Sequence, residues 1–249
     1  MLQDLSKFGV VVLAAGRGTR LGCVDEPKVM RKIGDRPIVG YIVETLQNIG
    51  FTKEQICLMI GFCGEKVREY FGDKVMYAEQ VEQKGTAHAA YTGSVTLPKQ
   101  CKHILVINGD DSAFYSTTTV ENLMTTHLNG QAVATLLSVV LPEIGNYGRI
   151  ARDGDGRIEI IEKEYLSEAT YPIRETSTGT FCFDRAWFEK IFPVMPPLRK
   201  LGEYGLPTTF SVAQNEGAYV QVVILSNSDE WFGVNTPEEL AEADRRKKI

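Results

Sequence analysis

The 249-residue sequence predicts an α/β fold: a mostly parallel sheet with helices on both faces, and a smaller β-rich part toward the C-terminus. Three observations carry this. Apolar β-branched runs alternate with helix-periodic stretches over the first hundred residues, the leading run passes straight into a glycine loop, and β-rich character sets in only after residue 141. Parallel strands need crossover connections, which helices supply, so such alternation gives a sheet covered on both faces.

Val10-Val11-Val12 reads as a buried strand. From Pro37 to Ile49, the residues Ile38, Tyr41, Ile42, Thr45, Leu46 and Ile49 recur at spacings of three and four. That is one buried stripe of a helix, with Asp35 as its expected cap and Gly50 as its stop. Gln55 to Ile60 and Val75 to Ala78 read as short strands, with a loop and helix from Gly61 to Tyr70 between them. Gly85-Thr86 opens a helix of small residues, and His103 to Ile107 has strand character. Thr118-x-x-Glu121 reads as a capping box for a helix to about Asn129, and Ala132 to Leu141 as a long strand in the sheet core. Asp153-Gly154-Asp155-Gly156 then turns an antiparallel hairpin that continues through Arg157 to Glu162. Thr180 to Phe183 and Tyr219 to Leu225 read as strands, Arg185 to Phe192 as a helix, and Val194 to Pro197 as a loop. Thr236 as N-cap, Pro237 at the first helical position and Glu239 two residues further on start the last helix.

With 43% hydrophobic residues the chain can bury a sizeable core. A formal net charge of -5 excludes the basic face that a nucleic-acid partner needs. The run Arg245-Arg246-Lys247-Lys248 closes the last helix, where cations complement the dipole. Five cysteines with no C-x-x-C pair imply reduced thiols in a cytoplasmic protein. No apolar run of 18 residues and no charged-then-apolar leader is present, so neither membrane nor export is expected. The sequence does not fix an oligomeric state.

The stretch Leu13 to Lys28, LAAGRGTRLGCVDEPK, carries the chemistry. Gly16 and Gly18 let the chain bend after the strand, Arg17 and Arg20 add permanent cations, and the loop ends at Pro27-Lys28. Backbone N–H groups and fixed positive charge can thus converge on a volume that suits a polyphosphate. A P-loop is excluded because no Gly-Lys-Ser/Thr follows, and a dinucleotide fingerprint because Gly16, Gly18 and Gly22 are one residue too wide at the second gap. Further on, Glu79 to Ala90 places amides before Gly85-Thr86, which lets the backbone press close to a flat ligand such as a base. The strand His103 to Ile107 ends in Asn108-Gly109-Asp110-Asp111, and ligands of open α/β sheets sit at such carboxyl ends. Asp110 is placed to hold a divalent cation, since Mg²⁺ prefers one or two carboxylates completed by water and substrate phosphates.

Leu13-Ala14-Ala15-Gly16-x-Gly18-Thr19-Arg20, followed by Pro27-Lys28, resembles the signature of the sugar-1-phosphate nucleotidyltransferases. Within that family it is most similar to the uridylyltransferase (pyrophosphorylase) domain of bifunctional N-acetylglucosamine-1-phosphate uridyltransferases. The resemblance implies a Rossmann-like sheet of the GT-A type in one domain over residues 1–249. A nucleotide-binding half would run to about 141, a sugar-phosphate half from about 142 to 235, and a C-terminal helix over 236–249. It implies that Leu13, Ala14, Ala15, Gly16, Gly18 and Thr19 hold a nucleoside triphosphate, that Gln80, Gly85 and Thr86 read its base, and that Arg20, Lys28 and Asp110 are catalytic. Asp110 with Asn235 would hold Mg²⁺, and Gly148, Glu162, Lys163, Ser177 and Thr178 would bind the sugar 1-phosphate.

Several positions depart from the family pattern. The gap from Arg20 to Lys28 is one residue longer, and Ser112-Ala113-Phe114 replaces a Pro-Leu pair. Ser177 stands where the relatives have Asn, and Gly205-Leu206-Pro207-Thr208 lacks the usual aromatic and Asp. The expected reaction transfers a nucleotidyl group, from UTP in the first instance, to N-acetylglucosamine 1-phosphate. Another triphosphate or phosphorylated acceptor, or a non-catalytic sensor built on the same domain, stays open at this level.

Overall fold

The structure, a computed structural model, describes residues 4–198 and 202–248. In chain order the strands are β1 (Phe8–Leu13), β2 (Lys32–Ile33), β3 (Arg36–Pro37), β4 (Ile56–Ile60), β5 (Met76–Glu79), β6 (His103–Asn108), β7 (Ala134–Val140), β8 (Arg149–Arg152), β9 (Ile158–Ile161), β10 (Glu175–Asp184) and β11 (Val220–Ile224). The helices are α1 (Ile38–Ile49), α2 (Gly64–Phe71), α3 (Thr86–Ser94), α4 (Thr117–Gly130), α5 (Arg185–Ile191), α6 (Thr208–Asn215) and α7 (Pro237–Lys247).

The central sheet has the order β11-β7-β10-β6-β1-β4-β5. Every pairing in it is parallel except those of β10, which runs antiparallel to both neighbours. The mostly parallel sheet with helices on both faces is therefore as expected, plus two small antiparallel ribbons, β2-β3 and β8-β9. β1 shows why the run Val10-Val11-Val12 is unbroken by polar residues. Val10 and Val12 pack with Val39, Ile42 and Leu46 of α1 and Leu123 of α4, whereas Val11 packs with Ala87 and Ala90 of α3 and Phe188 of α5. Alternate side chains face opposite layers, and both layers are dry. Small residues in α3 let it sit close, and a Cβ on Gly93 would lie 2.5 Å from Val11.

Leu13 stands opposite Asn108 on one side and Met59 on the other, so the segments following β1, β4 and β6 leave the sheet at one edge. Strand β10 is longer than Thr180 to Phe183, and its register slips between Ser177 and Thr180. Gly179 sits in the slip at φ 75, where a side chain would run into the Asn108 amide. The β8-β9 hairpin falls where the sequence places it. Gln214 of α6 ties it down, accepting from the Ile158 N–H and donating to its carbonyl, both at 2.8 Å.

Two local expectations need correction, and one helix is additional to those expected. Asp35 does not cap α1: the helix follows Pro37, whose fixed φ leads into it, and the Asp35 carboxylate pairs with Arg36 instead. Thr118 and Glu121 form no capping box, because Ser116 caps α4 by accepting from Thr119 at 3.2 Å, and Ser116 is itself held by Glu230. Helix α6 was not foreseen, since its start has no side-chain cap.

Candidate active site

The loop after β1 bends through Gly18 (φ 76) and Gly22 (φ 69), which flank a single tight turn at Thr19–Leu21. The N–H groups of residues 15–18 have no protein partner among the described residues, whereas that of Ala14 donates to Met59 O at 2.9 Å. Leu13, Ala15 and Gly16 line a cavity of about 510 Å³ at the sheet's carboxyl edge. Ala14 is buried behind it, and Gly18 and Thr19 shape the loop without lining the cavity. Arg17 turns away and stacks over Phe62, 4.5 Å from the ring centre. Cys23 is buried beneath the loop, and burial pushes its thiol up, away from the reactive thiolate.

Lys28 is only 9% exposed. Its ammonium is ion-paired with Asp110 Oδ2 and donates to Asn235 Oδ1 at 2.9 Å. Arg20 Nη2 donates to the same Asn235 oxygen at 3.0 Å. Residues from three distant parts of the chain thus meet at one point. The folding logic is local in each case: Lys28 packs its stem against Gly18, where a Cβ would lie 2.6 Å away, and Asp110 follows the end of β6. Asn235 is fixed by the capping box of α7, whose Glu239 accepts from the Asn235 and Thr236 N–H groups at 2.6 and 3.0 Å. The α7 helix is in turn anchored by Asp244, which accepts from Gly34 N–H at 2.8 Å, and by Lys247, wedged between Tyr41 and Phe114. The Val234 N–H also donates to Asp110 O at 3.2 Å, joining the two segments directly.

Asp110 and Asn235 fit a hard divalent cation. Both present oxygen, and both oxygens reach one positively charged nitrogen, so they already converge on a cation-sized position. Among the described residues no cluster of three or more His, Cys, Asp or Glu occurs, so ligand oxygens and water would complete the shell. Beside this point Asp111 Oδ1 is buried, and its carboxyl is pushed well above the usual range by burial and then by the charge of Asp110.

Gln80, Gly85 and Thr86, the residues expected to read a base, line the same cavity. Gln80 is buried, and its Nε2 donates to Gly85 O at 3.2 Å and faces His88 Nδ1 at 3.2 Å. A carbonyl accepts only from a donor, so the amide orientation is set and Oε1 is left as the available group. Gly85 takes φ 99, and its neighbours bind the segment around Tyr204: Tyr204 N–H donates to Lys84 O, and Ala87 N–H to Tyr204 O, both at 2.8 Å. The Thr86 hydroxyl accepts from Leu206 N–H at 3.1 Å.

A second cavity of about 290 Å³ adjoins the first and shares Thr86, Asn108, Asp110 and Glu162 with it. Gly148, Glu162, Ser177 and Thr178 line it, with Tyr147 and Trp231 among its apolar walls. Gly148 is needed for close passage, since a Cβ there would lie 2.4 Å from Ile161 O. Burial, and then Glu164, raises the Glu162 carboxyl above its ordinary range. Thr178 is buried and donates to Leu137 O at 2.7 Å, which makes it a wall rather than a free hydroxyl. Lys163 lies on the first cavity instead, exposed and 3.8 Å from Glu164. Asn108, which borders both cavities, was missed by sequence reasoning; an amide closing an otherwise apolar strand just before Asp110 was the available signal.

No helix among the described residues is long and apolar enough to cross a membrane. Comparison with known proteins bears out the family expected from the sequence. The nucleotidyl transferase family model matches residues 9–248. The chain is 34% identical over 241 residues to the bifunctional protein GlmU of Heliobacterium modesticaldum, covering 96% of this chain and 52% of the relative. It is 35% identical over 236 residues to the bifunctional protein GlmU of Staphylococcus carnosus, with coverages of 94% and 51%. The corresponding protein of Symbiobacterium thermophilum is 35% identical over 245 residues, with coverages of 97% and 51%. The chain spans about half the length of the curated relatives it matches. The chain therefore belongs to the nucleotidyl transferase family, as a GlmU-like nucleotidyltransferase enzyme.

Proposed function

We propose that the chain transfers a uridylyl group from UTP to a sugar 1-phosphate, N-acetylglucosamine 1-phosphate first among them, giving a nucleotide sugar and pyrophosphate. The observation that carries this is the convergence of Arg20, Lys28, Asp110 and Asn235 on one point between the two cavities. A phosphate oxygen of the acceptor attacks the α-phosphorus of the triphosphate, the bond to the β-phosphate oxygen breaks, and pyrophosphate leaves with the electron pair. The acceptor is already an anion, so no general base is required and catalysis rests on alignment and charge neutralisation.

The free N–H groups of residues 15–18 and the side chain of Arg20 hold the triphosphate, and Lys28 neutralises the transferring phosphoryl group. Asp110 and Asn235 would hold Mg²⁺, which when bound spreads the negative charge of the phosphates. The first cavity takes the nucleotide, with Lys163 on its wall, and the second takes the sugar against Glu162, Gly148 and Ser177. Gln80 supports a uracil, because its free Oε1 matches the N3–H donor of that base and repels the N3 acceptor of cytosine. Ser177 favours a second reading, a different acceptor substituent, since a hydroxyl reaches less far than the amide of the relatives and here accepts from Gly179 N–H at 3.0 Å. Free cysteines and phosphorylated substrates support a cytoplasmic setting for this reaction.

The test is pyrophosphate release over a panel of UTP, dTTP, CTP, GTP and ATP against several sugar 1-phosphates, with and without Mg²⁺. Release confined to UTP with N-acetylglucosamine 1-phosphate and dependent on Mg²⁺ is expected. No release from any pair contradicts the proposal, and preference for another acceptor moves it to the second reading.

A further inference from the structure

We infer that Lys28 and a divalent cation are rival occupants of the Asp110 and Asn235 oxygens, so that a bound polyphosphate opens the metal position by drawing Lys28 away. This rests on the reading proposed above for the same site and adds a rule for how it fills. The Lys28 ammonium touches both oxygens that would ligate the metal, and a divalent ion held by the same pair would sit within a few ångströms of it. Two cations at that separation repel strongly even at a surface-like dielectric, so one excludes the other.

The oxygens are the fixed partners. Asn235 is clamped by Glu239 and lies one residue from Val234, which donates to Asp110 O at 3.2 Å, so the two ligands move as one body. Lys28 is the mobile partner. Its ammonium ends a flexible four-carbon stem, and the residue lines the 510 Å³ cavity in which the triphosphate is placed, so a swing of the side chain keeps it inside the site. Phosphate oxygens offer the ammonium a new counter-charge and, in the same event, add ligands for the metal. Arg20 follows the same rule, since it shares the Asn235 oxygen and is exposed. Lys28 thereby couples metal uptake to the presence of substrate. A divalent ion alone meets a filled position.

The test uses Mn²⁺ as the probe, with free ion counted by electron paramagnetic resonance and no nucleotide present. Wild type, Lys28→Gln, Lys28→Met and the double variant Lys28→Gln/Asp110→Asn are titrated. Both single variants are expected to take up one Mn²⁺ per chain at least tenfold more tightly than wild type, within the usual span of site-to-site coupling. The gain should disappear in the double variant. Equal Mn²⁺ affinity in wild type and the single variants, or a gain that survives loss of Asp110, overturns the inference.

Wild type alone also decides, should the variants fail to fold. A free chain that binds Mn²⁺ as tightly without a UTP analogue bridged by methylene between its α and β phosphorus as with it contradicts the rivalry. Failure here leaves substrate-panel turnover untouched, whereas failure of the underlying reading would abolish that turnover.

Discussion

Replacing Gly85 by Ala should uncouple the start of α3 from residues 203–205 on the wall of the first cavity. Gly85 holds φ 99 and ψ 176, a region that only glycine occupies at ease and that costs another residue about 1–3 kcal/mol. The added Cβ would lie 2.6 Å from Tyr204 O and 2.8 Å from Tyr204 N, both backbone atoms. Those atoms are engaged with Ala87 N–H and Lys84 O at 2.8 Å, so relieving the clash breaks two hydrogen bonds worth about 1 kcal/mol each. The combined penalty, about 3–5 kcal/mol, falls on residues 203–205, which lie outside the central sheet, so the loop should lift while the sheet survives. A displacement of about 1 Å at such a loop can cost on the order of 100-fold in kcat/KM. Steady-state pyrophosphate release measures this loss, and thermal melting reports the fold. Gly217→Ala is the control: φ is 71 with nothing within 4 Å, so strain alone, about 1 kcal/mol, should lower Tm by about 2–4 °C without touching kcat/KM. A Gly85→Ala enzyme within about threefold of wild type in kcat/KM would refute the coupling.

Two further outcomes concern stability. The Arg185 guanidinium donates to Ser94 O at 2.7 Å, Pro98 O at 2.8 Å, Cys101 O at 3.2 Å and Leu97 O at 3.3 Å, and pairs with Glu189 at 2.7 Å. Arg185→Ala strands these acceptors and should cost about 3 kcal/mol in urea unfolding, with a loss under about 1 kcal/mol counting against this role. Burial, and the facing His103, push the His127 imidazole down to about 3, and it bridges His103 Nδ1 and Thr135 Oγ1 at 3.2 and 2.8 Å. Below pH about 6.5 the unfolded chain protonates this ring while the folded chain does not. The stability it contributes is thus complete above pH about 6.5 and falls by about 2 kcal/mol by pH 4.5. His127→Gln should remove that part of the acid dependence, and unfolding curves at pH 4.5 and 7.5 check it: an unchanged difference contradicts the assignment.

The sheet was legible because its signals are local. A β-branched run, a stripe at helical spacing and a Gly stop each declare one element, and β1, α1 and β7 formed close to where they were placed. Elements defined by long-range pairing were not legible. Nothing within Glu175–Asp184 says that it enters between β6 and β7 against their direction, and the Ser116 cap depends on Glu230, 114 residues away. The site divides the same way. Lys28 and Asp110 were marked by a glycine loop and a strand end, while the bond from Thr86 to Leu206, and the role of Asn108, exist only once the two cavities are assembled.

The most direct test is turnover of Asp110→Asn at saturating Mg²⁺, UTP and N-acetylglucosamine 1-phosphate, with product nucleotide sugar resolved by chromatography. The side chain keeps its shape and loses its charge, so the rate should fall by about three orders of magnitude, equivalent to roughly 4 kcal/mol, while Tm stays within a few degrees. A variant that forms nucleotide sugar at near wild-type rate would contradict the assignment of the reaction to the point where Asp110, Asn235 and Lys28 meet.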